Sequence, residues 1–165
     1  MGQFSRAELE AEFQLFEDRA NTAAVTHDWD QWADQFAIDA EYVEHAMGNF
    51  GGREEIRPWI KKTMSRFPGN HMTSFPSLWH VIDEDTARVI CEIDNPLRDP
   101  GDGSVHSATN ITILTYGGDG RWAKEEDIYN PMKFLESAKG WCLRARELGT
   151  ITDEAATWFD RMGRF

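Results

Sequence analysis

Leu9, Phe13, Phe16 and Ala20 recur at helical spacing behind a Ser5–Glu8 capping box, so the pattern predicts a first helix over residues 5–26 with one apolar stripe. Asp28 is placed to cap a second, shorter helix in which Trp29, Trp32, Ala33 and Phe36 share a face, ending near Ile38. Residues 40–46 alternate as a short strand. A third helix is expected over residues 53–66, where Ile56, Trp59, Ile60, Met64 and Phe67 fall at spacings of three and four; Pro58 argues for a start nearer Arg57 or a bend. From Phe75 to Tyr129 the period drops to two. SLWHVID, TARVICEID, HSATNITILTY and RWAKEEDIY, separated by DEDT, PLRDPGDGS and GGDG, predict four consecutive strands in an antiparallel meander. Helical periodicity returns over residues 132–147, stops near Gly149, and allows a last short helix over 153–162.

Helices first, then a curved antiparallel sheet with a helix inserted after its first strand, is an α+β arrangement with helices covering one sheet face. A ligand would occupy the space between the two layers. At 165 residues the chain fits a single domain, 1–165, with residues 148–165 as a C-terminal helical extension; no repeat or long linker divides it. Seven Trp and ten Phe, in a chain only 41% hydrophobic, make an interior of rings, which leave irregular gaps able to form pockets.

A net charge of -12 argues against nucleic-acid binding, which needs clustered Lys and Arg. Cys91 and Cys142 stand alone, without CxxC spacing, and read as small core residues rather than a disulfide or zinc site. The histidines show no HxH or HExxH spacing, so no metal is implied. No GxGxxG or GxxxxGK[ST] element precedes a helix, so no nucleotide cofactor is implied, and no GxSxG elbow appears. The N-terminus lacks an apolar signal core and no run of about 18 apolar residues occurs, so the expectation is a cytoplasmic protein with no membrane partner.

The segment FAIDAEYVEHAMGNFGGREEI places His45 between acidic neighbours at a strand end, before a glycine-rich turn. Its ordinary pKa near 6.5 makes it a candidate catalytic base, and if it faces inward, alternation sends Glu41 and Val43 the same way and Tyr42 and Glu44 outward. Asn110 alternates with Ala108 and Thr112 and is placed to donate to a substrate carbonyl; a Thr and Asn ladder on a solvated or dimer-facing side is the competing reading. Glu92, within ARVICEID, is a candidate buried carboxylate or a group facing water. Trp59 and Trp79, with His80 and Phe75, are candidate cavity walls or plain core.

The order of elements and the text HDWDQWADQFAIDAEYVEH, GNFGGREEI and TYGGDGRWAKEEDIYNP resemble the nuclear transport factor 2-like superfamily, in its SnoaL-like branch, over nearly the whole chain to about residue 147. The resemblance implies a cone-shaped half-barrel closed by helices. It also implies kinship with ketosteroid isomerases, scytalone dehydratase, limonene epoxide hydrolase and polyketide cyclases, and with non-enzymatic modules. The ketosteroid isomerase strand text, similar to FADDATVEDPVG, aligns with Phe36–Gly48 if one residue is inserted before Glu44, and His45 then takes the catalytic aspartate's place. The isomerase oxyanion-hole tyrosine and protonated aspartate fall on Ala20 and Thr112, so those donors are replaced. By the same resemblance Asp127 and Tyr129, which share a face with Glu125, become candidates for acid or orienting roles.

Together these readings predict a cofactor-independent dehydratase, isomerase or cyclase acting on a small hydrophobic oxygenated ligand. In it His45 moves the proton, Asp127 or Glu41 sets its charge, and Asn110 and Tyr129 hold the oxygen. The alternative is a non-catalytic ligand-binding or dimerisation module, and the resemblance implies a homodimer through the open sheet face in either case.

Overall fold

The computed structural model describes residues 2–162; Met1 and residues 163–165, the last three of the expected C-terminal extension, lie outside the described residues. Ser5 Oγ accepts from the Glu8 amide at 3.2 Å and opens α1 (Arg6–Thr26), which ends where His27 turns left-handed at φ 60°. The second helix is shorter than its pattern, α2 (Asp30–Asp34), with Asp28 Oδ1 accepting from the Asp30 amide at 3.0 Å. Chain expected to extend that helix instead becomes β1 (Phe36–Glu44), because Phe36, Ala40 and Tyr42 bury on a sheet face. A four-residue strand, β2 (Gly48–Gly51), folds back antiparallel on β1.

Helix α3 (Arg53–Met64) starts at its glycine-rich turn and carries Pro58 inside. Gly52 is required there: its φ is 90°, and a Cβ would meet the Ile38 carbonyl oxygen at 3.1 Å. After a 3₁₀ turn at Gly69–His71, the meander runs through β3 (Ser77–Asp83), β4 (Arg88–Asp94), β5 (Thr109–Gly118) and β6 (Arg121–Ile128). Asp119 and Gly120, both at positive φ (52° and 67°), form the two-residue β5–β6 turn that matches strand twist. Asn130 caps α4 (Pro131–Leu148) by accepting from the Met132 amide at 3.0 Å, and α5 (Asp153–Met162) closes the described chain.

The sheet is six-stranded, mixed, curved and not closed, in the order β2-β1-β6-β5-β4-β3. Strand β1 docks parallel to β6, bringing the first strand of the chain beside the last. Helices α1, α2 and α3 cover the inner face, where Leu9, Phe13, Phe36, Ile56, Leu114 and Trp122 are fully buried. A second apolar cluster lies where α4 and α5 meet, around Trp141, Cys142, Ala145 and Ala155. Cys91 and Cys142 are buried and unpaired in separate clusters. Among the described residues no helix is long and apolar enough to cross a membrane.

Strict alternation fails in β6. Register places Lys124 against Thr115 and Trp122 against Tyr116, so Ala123 is an extra residue on the β6 side. The bulge lets Trp122, fully buried, share the inner face with Glu125, although the spacing had put them on opposite faces.

Candidate active site

Parity along β1 decides which polar groups reach the interior. Counting by twos from Ala40, Tyr42 and Glu44 turn inward, and the parallel register sets Tyr42 beside Glu125 and Glu44 beside Asp127. These four side chains reach a cavity of about 350 Å³ between sheet and helices, whose other walls include Phe16, Trp29, Trp32, Trp59, Phe75 and Phe134. No Lys, Arg or His is among the residues lining it.

Asp127 is the centre of a hydrogen-bond network. Its Oδ2 accepts from the Tyr42 hydroxyl at 2.5 Å, and its Oδ1 accepts from Thr112 Oγ1 at 2.6 Å and Asn110 Nδ2 at 3.2 Å. Asn95 Nδ2 in turn donates to Asn110 Oδ1 at 2.8 Å, which fixes the Asn110 amide with its NH₂ toward Thr112 and Asp127. The Tyr42 oxygen is also 3.2 Å from Glu125 Oε1. A phenol has one proton, and the shorter contact takes it; the longer contact is a hydrogen bond to Asp127's donor only when Glu125 carries a proton to give.

The electrostatics favour that arrangement. Burial, and then the charge of Asp127, raises Glu125 well above the ordinary carboxylate range. Burial also pushes Asp127 up to about 6, against the hydrogen bonds from Thr112 and Tyr42 that pull it down. The Tyr42 phenol is raised by burial and by both carboxylates, so it stays a donor. Glu125 thus holds its proton most firmly, Asp127 changes charge near neutrality, and Tyr42 links them. The Tyr129 phenol is likewise raised, by burial first and then by the neighbouring Glu44.

Five of the sequence-predicted residues, Asp127, Asn110, Tyr129, Trp59 and Phe75, line this cavity. The other five lie elsewhere, among them His80, whose Nε2 is 2.8 Å from Glu10 Oε1. His45 sits one residue past β1 with its side chain 49% exposed, and its Nε2 is 2.8 Å from Glu126 Oε1. Because Tyr42 and Glu44 are the inward pair, His45 takes the opposite face and does not line the cavity. The same parity turns Glu41 outward to Lys124 Nζ at 3.4 Å. Trp79, 45% exposed, and Glu92 are paired across β3 and β4 away from the cavity, with Trp79 Nε1 donating to Glu92 Oε2 at 2.7 Å.

Sequence reasoning missed Tyr42, Glu44 and Glu125 as site residues. The signal was present: Phe36, Ala40 and Tyr42 are the apolar beat of the strand, and Glu44 is its next position. The inserted residue that aligned His45 with the isomerase aspartate displaced the assignment by one. Ala20 and Thr112, the two positions aligned with the isomerase oxyanion hole, do line the cavity, and Thr112 spends its hydroxyl proton on Asp127.

A larger depression of about 600 Å³ lies beside it, lined by His27, Lys61, Asn70, His71, Arg98 and Glu154 among others. Its polar groups largely satisfy one another: Asn70 Nδ2 donates to Glu154 Oε2 at 2.8 Å, and His71 Nδ1 bonds Asn70 Oδ1 at 2.7 Å. Burial, helped by Arg98, holds His71 down at about 4 and therefore neutral. The smaller cavity, where buried carboxylates converge, is the stronger site for chemistry.

An α+β chain with a curved, open six-stranded sheet closed on one face by helices is an NTF2-like fold. The model of the SnoaL-like domain matches residues 5–124, and the chain belongs to that family. A proposed isomerase from Bacillus subtilis is 18% identical with a TM-score of 0.64, over 83% of this chain and 97% of its own. A hypothetical protein with a ketosteroid isomerase-like fold from Catenulispora acidiphila, in complex with trimethylamine, is 20% identical with a TM-score of 0.59, over 74% and 90%. An epoxide hydrolase of the LEH-like type from M. tuberculosis is 12% identical with a TM-score of 0.62, over 86% and 95%. At these identities the likeness is one of fold. No curated protein sequence matches the chain.

Proposed function

We propose that the cavity is the active site of a cofactor-independent enzyme that moves protons on a small hydrophobic oxygenated molecule, as a dehydratase, isomerase or cyclase does. The observation that carries this reading is the Glu125–Tyr42–Asp127 chain: a half-buried carboxylate poised near neutrality, next to a phenol and a second carboxyl that keep their protons. Asp127 takes a proton made acidic by an adjacent carbonyl and returns it to the product, Tyr42 holds the carboxylate in place by its hydrogen bond, and Tyr129 donates to the developing oxyanion. Such acid-base help is worth roughly 10²- to 10⁴-fold in rate.

The test is proton exchange at the carbon next to a ketone, followed by NMR in deuterated water over a panel of steroid, terpenoid and polyketide-like ketones. Exchange should rise with pH through an inflection near the value of about 6 given for Asp127. Asp127→Asn should lower it by at least roughly 10²-fold. Unchanged exchange in that variant would remove Asp127 from the chemistry.

One observation favours the second reading, a non-catalytic binding module. Asp127 already accepts from Tyr42, Thr112 and Asn110, which is how a carboxylate that only braces a fold is often held. Ligand binding without exchange for any ketone supports that alternative.

We also propose that a second copy of the chain covers the outer sheet face. Trp79, Val81 and Ile128 are 45%, 51% and 42% exposed, and the charges near them are paired as His45–Glu126 and Glu41–Lys124. An apolar face whose polar groups already have partners suits a two-fold interface between identical surfaces.

A further inference from the structure

Glu44 and Glu125 are 4% and 3% exposed, and each keeps one carboxylate oxygen, Oε2, buried without a hydrogen-bond partner. Both line the cavity, together with Asp127. A buried carboxylate oxygen that meets no donor is costly, and three acidic groups around one small space compound the cost. No cationic side chain among the lining residues offsets them. The walls opposite are rings, among them Trp29, Trp32, Trp59 and Phe75.

We infer that the ligand of this cavity carries a protonated amine. An ammonium group brings the N–H donors that the free oxygens of Glu44 and Glu125 lack, with Glu125 accepting through the oxygen that does not carry its proton, and its positive charge suits a lining that is acidic and holds no cation. Indole and phenyl rings favour a cation beside them and accept the hydrocarbon remainder of the molecule. A neutral hydroxyl offers one donor and no charge, and an anionic ligand is repelled. Among the described residues no three His, Cys, Asp or Glu are grouped to hold a metal ion, so an organic cation is the better match to this lining. The inference rests on the cavity being the ligand site of the proposed function and names the ligand's class; it does not require turnover.

Calorimetric titration at pH 7 with three probes of one shape tests it: 2-phenylethylamine, 2-phenylethanol and phenylacetate, against the wild-type chain, Glu44→Gln and Glu125→Gln. The amine should bind at least tenfold more tightly than the alcohol, and phenylacetate should give no heat of binding. Each Gln variant should narrow the amine's advantage over the alcohol, Glu44→Gln by at least tenfold. Equal affinity for amine and alcohol in the wild-type chain overturns the inference whether or not the variants fold, and so does unchanged amine affinity in both variants. If none of the probes binds, the inference falls together with the cavity as a ligand site. Tight amine binding with no ketone exchange leaves the inference standing and removes only the catalytic reading.

Discussion

Asp127 shows how one side chain ties the site to stability. Its folded-state value of about 6 lies above the roughly 3.9 of an unfolded aspartate, so the native chain binds more protons between those values. Stability from this group is complete at low pH and is lost as the pH rises through about 6. His71, held down at about 4 by burial, acts in the opposite sense, so the informative quantity is the difference between proteins. Urea unfolding from pH 4 to 7 should show wild type losing about 1–3 kcal/mol relative to Asp127→Asn over that interval. Parallel curves for the two proteins would mean Asp127 titrates like a solvated carboxylate.

The bulge at Ala123 sets the face of β6 at the scale of the element. With Ala123 in place, Trp122 joins the core and Glu125 and Asp127 join the cavity; without it, one group must face out. Deleting Ala123 should cost on the order of 4 kcal/mol or more and broaden thermal unfolding, whereas Ala123→Gly keeps the parity and should still melt cooperatively. Calorimetry decides, and a sharp wild-type-like melt for the deletion would overturn the assignment.

The same element marks where sequence stops being enough. Helices α1, α4 and α5 and strands β3 to β6 follow from caps, turn residues and periodicity, because those signals are local. Strand β1 was legible as a strand but not in its phase. Choosing between Glu44 and His45 needs to know which side of Tyr42 meets a helix, and that is fixed by Phe36 packing against Trp32 on the preceding helix, ring centroids 5.0 Å apart. The pairing of β1 with β6 has no local signature, since each strand's partner lies far along the chain. The glycine-rich β2 has too few side chains for any period to show.

At the scale of the whole molecule, the outer sheet face predicts association. Val81→Asp places a charge on the β3 side of the proposed interface and should convert a dimer to a monomer in sedimentation analysis, with the thermal midpoint measured in parallel to confirm folding. A wild-type chain that sediments as a monomer at all concentrations would overturn the proposal.

The parallel β1–β6 pair also dictates a timetable. Tyr42 and Glu125 lie 83 residues apart, yet they form adjacent walls of one site. On the ribosome, β1 emerges long before its partner and must wait, paired on one side with β2 alone, until β6 has left the exit tunnel. Bridging that separation makes the step slow relative to the local hairpins. The cavity's acids therefore come from the two ends of that span, and a chain interrupted before β6 presents a half-built cavity and an open strand edge that a chaperone would have reason to hold.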